Sequence, residues 1–220
     1  MLTIESLSQQ ITQGGYDRQL LDSVSLEVQT HEIVAIVGRS GAGKSTLLNC
    51  VAGFTPFKSG LIKIGETVVC QNKDRELSEI RLRKLGIVFQ FFNLLPSLTL
   101  LQNVILPRRL AGIPYQKAIL EGKDACERVN ITNCMNQLPA QVSGGEAQRA
   151  AIARAIINKP IMILADEPTG NLDSDSGRLI MELLSSIVRD QKCGMLLVSH
   201  DPETVRYADR AVTLSNGVLR

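Results

Sequence analysis

No stretch of the chain approaches the roughly 18 consecutive apolar residues that a membrane-spanning helix requires, so no direct lipid insertion is expected. Any work at a membrane has to pass through a partner. The N-terminal MLTIESLSQQ has neither a basic start nor an apolar centre, so no signal peptide is expected. Cysteine is sparse and scattered: Cys50, Cys70, Cys126, Cys134 and Cys193 are odd in number and include no C-x-x-C. That spacing fits neither a zinc site nor a disulfide framework, and reads as reduced packing residues of a cytosolic protein. A surplus of charge is missing too. The 24 basic and 22 acidic residues are interspersed and leave a net +2, which gives no electrostatic case for nucleic acid or an anionic membrane surface. There is no internal repeat and no low-complexity tract. What remains is the composition of a globular protein, 44% hydrophobic and 21% charged, long enough for a substantial core.

The stretch that organises the chain is Ile33 to Gly53. Five apolar residues, Ile33 to Val37, read as a buried strand that breaks at Gly38. Helical apolar spacing (Leu47, Leu48, Val51) follows Lys44. Between them Gly38-Arg39-Ser40-Gly41-Ala42-Gly43-Lys44-Ser45 fits G-x-x-x-x-G-K-[ST], with Thr46 next. At average residue usage those fixed positions match by chance in roughly one chain of this length in a hundred. The strand and helix on either side make accident a poor explanation. Glycines let backbone N–H groups converge on phosphate oxygens, and the helix adds its positive dipole end. Lys44 supplies a point charge for β/γ-phosphates, and the Ser45 hydroxyl a ligand for Mg²⁺. The chain is expected to bind a nucleoside triphosphate.

Along the chain, residues 2–7 and 24–28 alternate as half-buried strands, with QQITQGGYDRQ between them as a polar loop. LIKIG and Thr67 to Cys70 read as a hairpin, Asp74 to Lys84 as a polar helix, and Leu85 to Phe89 as a short strand. Asn93 to Val129 reads as helical, punctuated by Pro96, Pro107 and Pro114. A helix follows Ser143, a strand spans Ile161 to Ala165, and an amphipathic helix covers 176–190. The segment Met195 to Ser199 reads as another buried strand, and a hairpin turning at Asn216-Gly217 closes the pattern. Apolar strands alternating with helices imply a doubly wound parallel sheet. The block from 93 to 157 interrupts the alternation as a helical lobe. His31, with no motif around it, reads as a turn residue.

Two further signals carry chemistry. The run ILADE places Asp166 and Glu167 at the carboxyl edge of a sheet, beside the phosphate loop. Asp166 would hold Mg²⁺, and Glu167 would polarise an attacking water. Ser143-Gly144-Gly145-Glu146 fits a capping box. Two glycines, however, cost a helix's first turn about 1 kcal/mol each. They make sense if something approaches the backbone closely, so this helix start also reads as a second phosphate site.

Together GRSGAGKST, FQ at Phe89-Gln90, SGGEAQR, ILADEP, Asn171-Leu172-Asp173 and Ser199-His200-Asp201 resemble the nucleotide-binding subunit of an ABC (ATP-binding cassette) transporter, in order and spacing, over essentially the whole chain. The strings FQFFNLLPSLT, NVILP and LADEPTGNLD resemble the lipoprotein-release and macrolide-efflux branch, to which cell-division and antimicrobial-peptide-resistance ATPases are also similar. The resemblance implies an α/β fold: a phosphate-loop NTPase (RecA-like) parallel-sheet core, an antiparallel β flank and a helical subdomain. It implies a single cassette over 1–220, with 1–90 and 158–220 as nucleotide-binding core and 91–157 as signature subdomain. It also implies a head-to-tail homodimer around two Mg-ATP, seated peripherally on a membrane permease at the cytoplasmic face of the inner (plasma) membrane. Lys44 and Ser45 of one subunit would face Ser143 and Gly145 of the other. Gln90 would sense Mg²⁺ and water, His200 would contact the γ-phosphate, and Asp173 would link the two sites. Phe91, Phe92, Leu94 and Leu95 read equally as lobe core or as a permease-docking groove.

The chain departs from the family where an aromatic ring stacks on adenine. The aligned residue is Ile11, with Tyr16 five residues on as the substitute. An apolar contact from Ile11 without a true stack is expected, and Val142 replaces the usual leucine before SGGE. The chain stops at Arg220, soon after the closing hairpin, so no C-terminal regulatory domain is expected. The activity expected is ATP hydrolysis driving export or extraction of a lipoprotein, peptide or hydrophobic substrate. The rival is an ATP-switched regulator of a membrane partner without transport.

Overall fold

The computed structural model describes residues 1–13, 16–69 and 74–220, and side chains other than those of residues 12–17. Cys70 and the Tyr16 side chain therefore lie outside the described residues. In chain order the elements are β1 (Leu2–Gln13), β2 (Tyr16–Val28), β3 (Ile33–Val37), α1 (Lys44–Val51), β4 (Ser59–Ile64), β5 (Thr67–Val68), α2 (Asp74–Lys84), β6 (Leu85–Phe89), α3 (Leu100–Leu110) and α4 (Tyr115–Arg128). After a 3-10 turn at Pro139–Gln141 come α5 (Gly144–Ile156), β7 (Met162–Asp166), α6 (Ser174–Asp190), β8 (Gly194–Val198), α7 (Pro202–Val205), β9 (Arg210–Ser215) and β10 (Val218–Leu219).

Two sheets form. One is antiparallel, in the order β2-β1-β4-β5. The other has the order β10-β9-β3-β8-β7-β6 and is parallel throughout except for the closing β9-β10 hairpin. Strand periodicity builds two cores from one sheet. Ile33, Ala35, Ile163, Ala165, Met195 and Leu197 pack with buried residues of α3 to α6. The alternate residues Val34, Ile36, Met162, Leu164, Leu196 and Val198 pack with α1 and the inner faces of β1, β2 and β4. Strands buried on both faces read as continuous apolar runs, which is why IVAIV and MILA stand out in the sequence.

The parallel sheet carries helices on both faces, as the doubly wound reading expects, and on the face that packs α1 and α2 the antiparallel sheet joins them. The antiparallel strands form their own sheet, the expected flank. Residues 9–13 and 16–19, expected as part of a polar loop, are strand. Pairing runs out to Gln13–Tyr16, because backbone hydrogen bonds need no apolar side chains. Register shifts along β1 absorb the irregularity. Ser6 and Ser23 take left-handed φ there and donate their backbone N–H groups to the Ser25 and Ser8 hydroxyls. Residues 93–99 are not helical, and Pro107 sits inside α3 instead of ending it. The short α7 was not expected. Asp201 caps it, accepting from the Glu203 and Thr204 amides. His31 is a turn residue, as expected, with φ 64° and Nδ1 3.1 Å from the Val188 carbonyl.

Candidate functional site: a phosphate cradle at the sheet's carboxyl edge

Four neighbouring parallel strands, β3, β8, β7 and β6, end on one edge. The residues at those ends are Gly38, Ser199-His200, Asp166-Glu167 and Gln90. Topology alone thus gathers chemistry drawn from over a hundred residues of chain.

The loop from Gly38 to Gly43 is shaped by close backbone approach. A Cβ on Gly38 would stand 2.3 Å from the Leu214 carbonyl oxygen. Gly43, at φ 105°, would place one 2.6 Å from the Leu20 oxygen. At the start of α1, no side chain caps the helix and no acid stands in its first turn. Its free N–H groups and dipole end therefore face an open position suited to phosphate. The Lys44 ammonium donates to the carbonyls of Gly38 (2.7 Å) and Arg39 (3.2 Å), keeping its charge at the loop.

The Ser45 hydroxyl donates to Asp166 Oδ1 at 3.4 Å. Burial pushes the Asp166 carboxyl above the usual range; the Ser45 bond opposes that, neighbouring Glu167 reinforces it, and Lys44 offsets it weakly. A desolvated carboxylate next to a hydroxyl is a donor set that fits a hard divalent cation such as Mg²⁺. Glu167, at φ 47°, is largely buried. Its Oε1 lies 2.7 Å from His200 Nδ1, and its Oε2 accepts from the Ser199 hydroxyl at 3.4 Å. The His200 ring is 73% exposed, so one end of this pair is fixed and the other faces outward. Ser199 itself was not assigned a role from sequence. Its signal was an apolar strand ending in a hydroxyl on the same edge.

Gln90 packs against Gly170, where a Cβ would meet its Nε2 at 2.8 Å. Its backbone carbonyl accepts from Asn171 at 2.8 Å. Asp173 caps α6, accepting from the Ser176 amide at 2.9 Å, and this bond holds its carboxyl below the usual range.

The second predicted phosphate site stands apart. Ser143 and Glu146 close a full capping box: Ser143 N donates to Glu146 Oε2 at 2.8 Å, and Glu146 N donates to Ser143 Oγ at 3.3 Å. The Ser143 bonds also hold the Glu146 carboxyl low. Among the described residues no hydrogen bond joins Ser143–Glu146 to residues 38–46, Asp166, Glu167 or His200. A Cβ on Gly145 would find only ordinary contacts with Ser176, so this chain's own packing does not demand that glycine. Ile11 is 37% exposed and paired with Arg18 on the polar hairpin, whereas Tyr16 pairs with Gln13. Cys50, Cys126, Cys134 and Cys193 are buried free thiols. Burial pushes Cys50 to about 12, and Cys126 and Cys193 to about 11, so they behave as packing groups.

This fold and edge define a phosphate-loop NTPase. The ABC transporter family matches residues 21–170, and the chain belongs to that family. It is an ATP-binding, ATP-hydrolysing cassette. It is 39% identical over its whole length to the lipoprotein-releasing system ATP-binding protein LolD of Shewanella oneidensis, covering 96% of that protein. It is equally similar, over 88% of the relative, to an uncharacterized ABC transporter ATP-binding protein of Mycobacterium tuberculosis. Among solved structures it superposes on the dimeric ABC transporter cassette MJ0796 with a TM-score of 0.91 and 34% identity, covering all of this chain and 97% of that one. A post-hydrolysis structure of MJ0796 bound to ADP and Pi aligns as well, at 35% identity. Among the described residues no helix is long and apolar enough to cross a membrane.

Proposed function

We propose that this chain is the motor subunit of an ABC exporter or extractor, working as a homodimer around two Mg-ATP. It would sit peripherally on a separate permease at the cytoplasmic face of the inner membrane and act on a lipoprotein, peptide or hydrophobic substrate. The observation that carries the reading is the Ser45–Asp166 and Glu167–His200 pairing on one sheet edge, beside an uncapped helix start. The full-length likeness to lipoprotein-releasing ATPases supports the choice of branch.

In this reading the 38–46 loop and α1 hold the triphosphate, with Lys44 on the β- and γ-phosphates. Ser45 and Asp166 hold Mg²⁺, with Gln90 completing the set; when bound, the ion neutralises charge building on the transferring phosphoryl group. Glu167 orients and polarises the attacking water. Ser199 and His200 hold that carboxylate in place, and His200 reaches the γ-phosphate. Ser143, Gly144 and Gly145 serve the γ-phosphate of the partner subunit's nucleotide, which gives Gly145 a purpose its own chain does not supply. Asp173 lies at the junction of the two sites. Ile11 gives adenine an apolar contact without a stack. Residues 1–90 and 158–220 form the nucleotide-binding core, and 91–157 the signature subdomain. Phe91, 71% exposed, and the cavity of about 380 Å³ lined by Leu106, Pro107 and Leu110 form the face offered to the permease.

The test is a pull-down with Glu167→Gln protein and Mg-ATP from detergent-solubilised membranes of its own cell. Recovery of a multi-span permease is expected, and transport of its cargo in vesicles separates export from regulation. Soluble or nucleic-acid-bound partners alone would leave the ATPase standing and bring down the transporter assignment.

A further inference from the structure

Helix α5 does more than present Ser143: its side chains grip the backbone that leaves β6. Gln148, fully buried, donates to the Pro168 carbonyl at 2.5 Å and to that of Phe89 at 3.4 Å. Farther along the same helix, Arg154 donates to the carbonyls of Phe92 at 2.7 Å and Asn93 at 2.5 Å. With Asn171 on the Gln90 carbonyl, the turn from Phe89 to Asn93 hangs from side chains outside it.

Two features of Arg154 call for an explanation. Its guanidinium is mostly buried, and burial holds it below its usual value, yet among the described residues it pairs with no carboxylate. A buried cation without an acid is costly to keep. Its partners, Phe92 and Asn93, are consecutive residues at φ 59° and 50°, a conformation that a Cβ disfavours and that persists only where the surroundings hold it. Cost and strain meet at one contact, three residues from Gln90.

We propose that Arg154 is a positioning residue for Gln90: by holding Phe92 and Asn93 in the left-handed turn, it fixes where Gln90 stands at the end of β6. Because Arg154 and Ser143 share α5, the same contact ties Gln90 to the helix that carries the second phosphate site. The inference rests on the reading that Gln90 serves the nucleotide site.

The test uses the full chain and compares Gln90→Ala, Arg154→Met, their double variant, and Arg154→Met combined with Asn93→Gly. Arg154→Met should lower kcat on the order of 10–100-fold, as expected when a reacting group is misplaced, with equilibrium ATP affinity near wild type. The double variant should be no slower than the slower single, since both act through one group. Adding Asn93→Gly should recover much of the rate, because glycine takes positive φ without help, and Arg154→Lys should recover part. Normal turnover by Arg154→Met, multiplying losses in the double, or failure of glycine to rescue would each overturn the proposal. So would normal basal hydrolysis with only permease-stimulated turnover lost, which would make Arg154 a contact for an acidic partner segment. If Gln90→Ala itself turns over normally, the underlying reading of Gln90 falls first, and the proposal with it.

Discussion

The starts of α1 and α5 are both glycine-flanked helix N-termini, and the chain treats them in opposite ways. The first is left open: no side chain caps it, no acid enters its first turn, and Lys44 waits beside it. The second is closed on itself by the Ser143–Glu146 box, and its acid sits in the first turn. An open N-terminus is a site for an external anion. A capped one is already satisfied, and in the proposed function it would add only its hydroxyl and the close approach that two glycines permit. On the proposed reading, the difference means that one chain builds the larger share of a phosphate site at its sheet edge and carries the smaller share elsewhere for use by another.

The sharpest way to break this comparison is at the sheet edge. Glu167→Gln should cut ATP turnover by about 10²–10⁴-fold, the usual worth of a positioned base, while ATP still binds and the dimer accumulates. Single-turnover hydrolysis and size exclusion with Mg-ATP read both; near-normal turnover would mean that another group handles the water.

At the open end, Lys44→Ala should weaken ATP binding by about 10–100-fold, the range for losing a charged hydrogen bond, as measured by titration calorimetry. Mixing then separates the two ends. Lys44→Ala chains mixed with Ser143→Glu chains should regain hydrolysis, because one composite site in each mixed dimer is intact. Wild type mixed with the double variant should have no intact site in its mixed dimers. No hydrolysis from the first mixture, with activity kept in the mixed dimers of the second, would show that both ends serve the same chain's nucleotide.

Ser143→Ala sharpens the closed end. Loss of an N-cap costs about 1 kcal/mol, so the chain should melt slightly earlier. ATP binding by the monomer should be unchanged and steady-state hydrolysis should fall. Unaltered hydrolysis would reduce Ser143 to a cap.

Most of the edge was legible in the sequence because strand ends announce themselves. An apolar run closed by a polar residue marks where a parallel strand delivers its side chain, and Gly38, Gln90, Asp166 and His200 are found that way. The long hairpin was not legible. Between residues 8 and 19 no apolar alternation marks the strands, and pairing there is carried by backbone hydrogen bonds and serine-stabilised irregularities that composition does not encode. Pro107 misled for a related reason: one lost helix bond is tolerated where Val104 and Ile105 anchor α3 in the core. The grips of Gln148 and Arg154 were invisible because they are side-chain-to-backbone contacts across some 60 residues, with no spacing rule.

The smallest effect expected concerns Asp166 and has a sign worth working out. Burial raises its carboxyl in the folded chain above its unfolded value. The folded state therefore holds the proton more tightly, and ionising the group costs stability at every pH above the folded value. That cost disappears as pH falls below the unfolded value. The acids Glu146, Asp173, Asp201 and Asp209 run the other way. Their hydrogen bonds and, for Asp209, the Arg189 pair contribute stability above the unfolded value, lost as pH falls through the lowered folded one. Asp166→Asn should thus leave the nucleotide-free chain as stable as wild type or slightly more so at pH 7. The gap should close toward acid pH, while Mg²⁺-dependent stabilisation by ATP is lost. Thermal melts from pH 3 to 8, with and without Mg-ATP, read both arms. A variant that melts well below wild type at pH 7 would mean that the Ser45 and Lys44 contacts outweigh the burial, and that Asp166 is a structural group as much as a site for the cation.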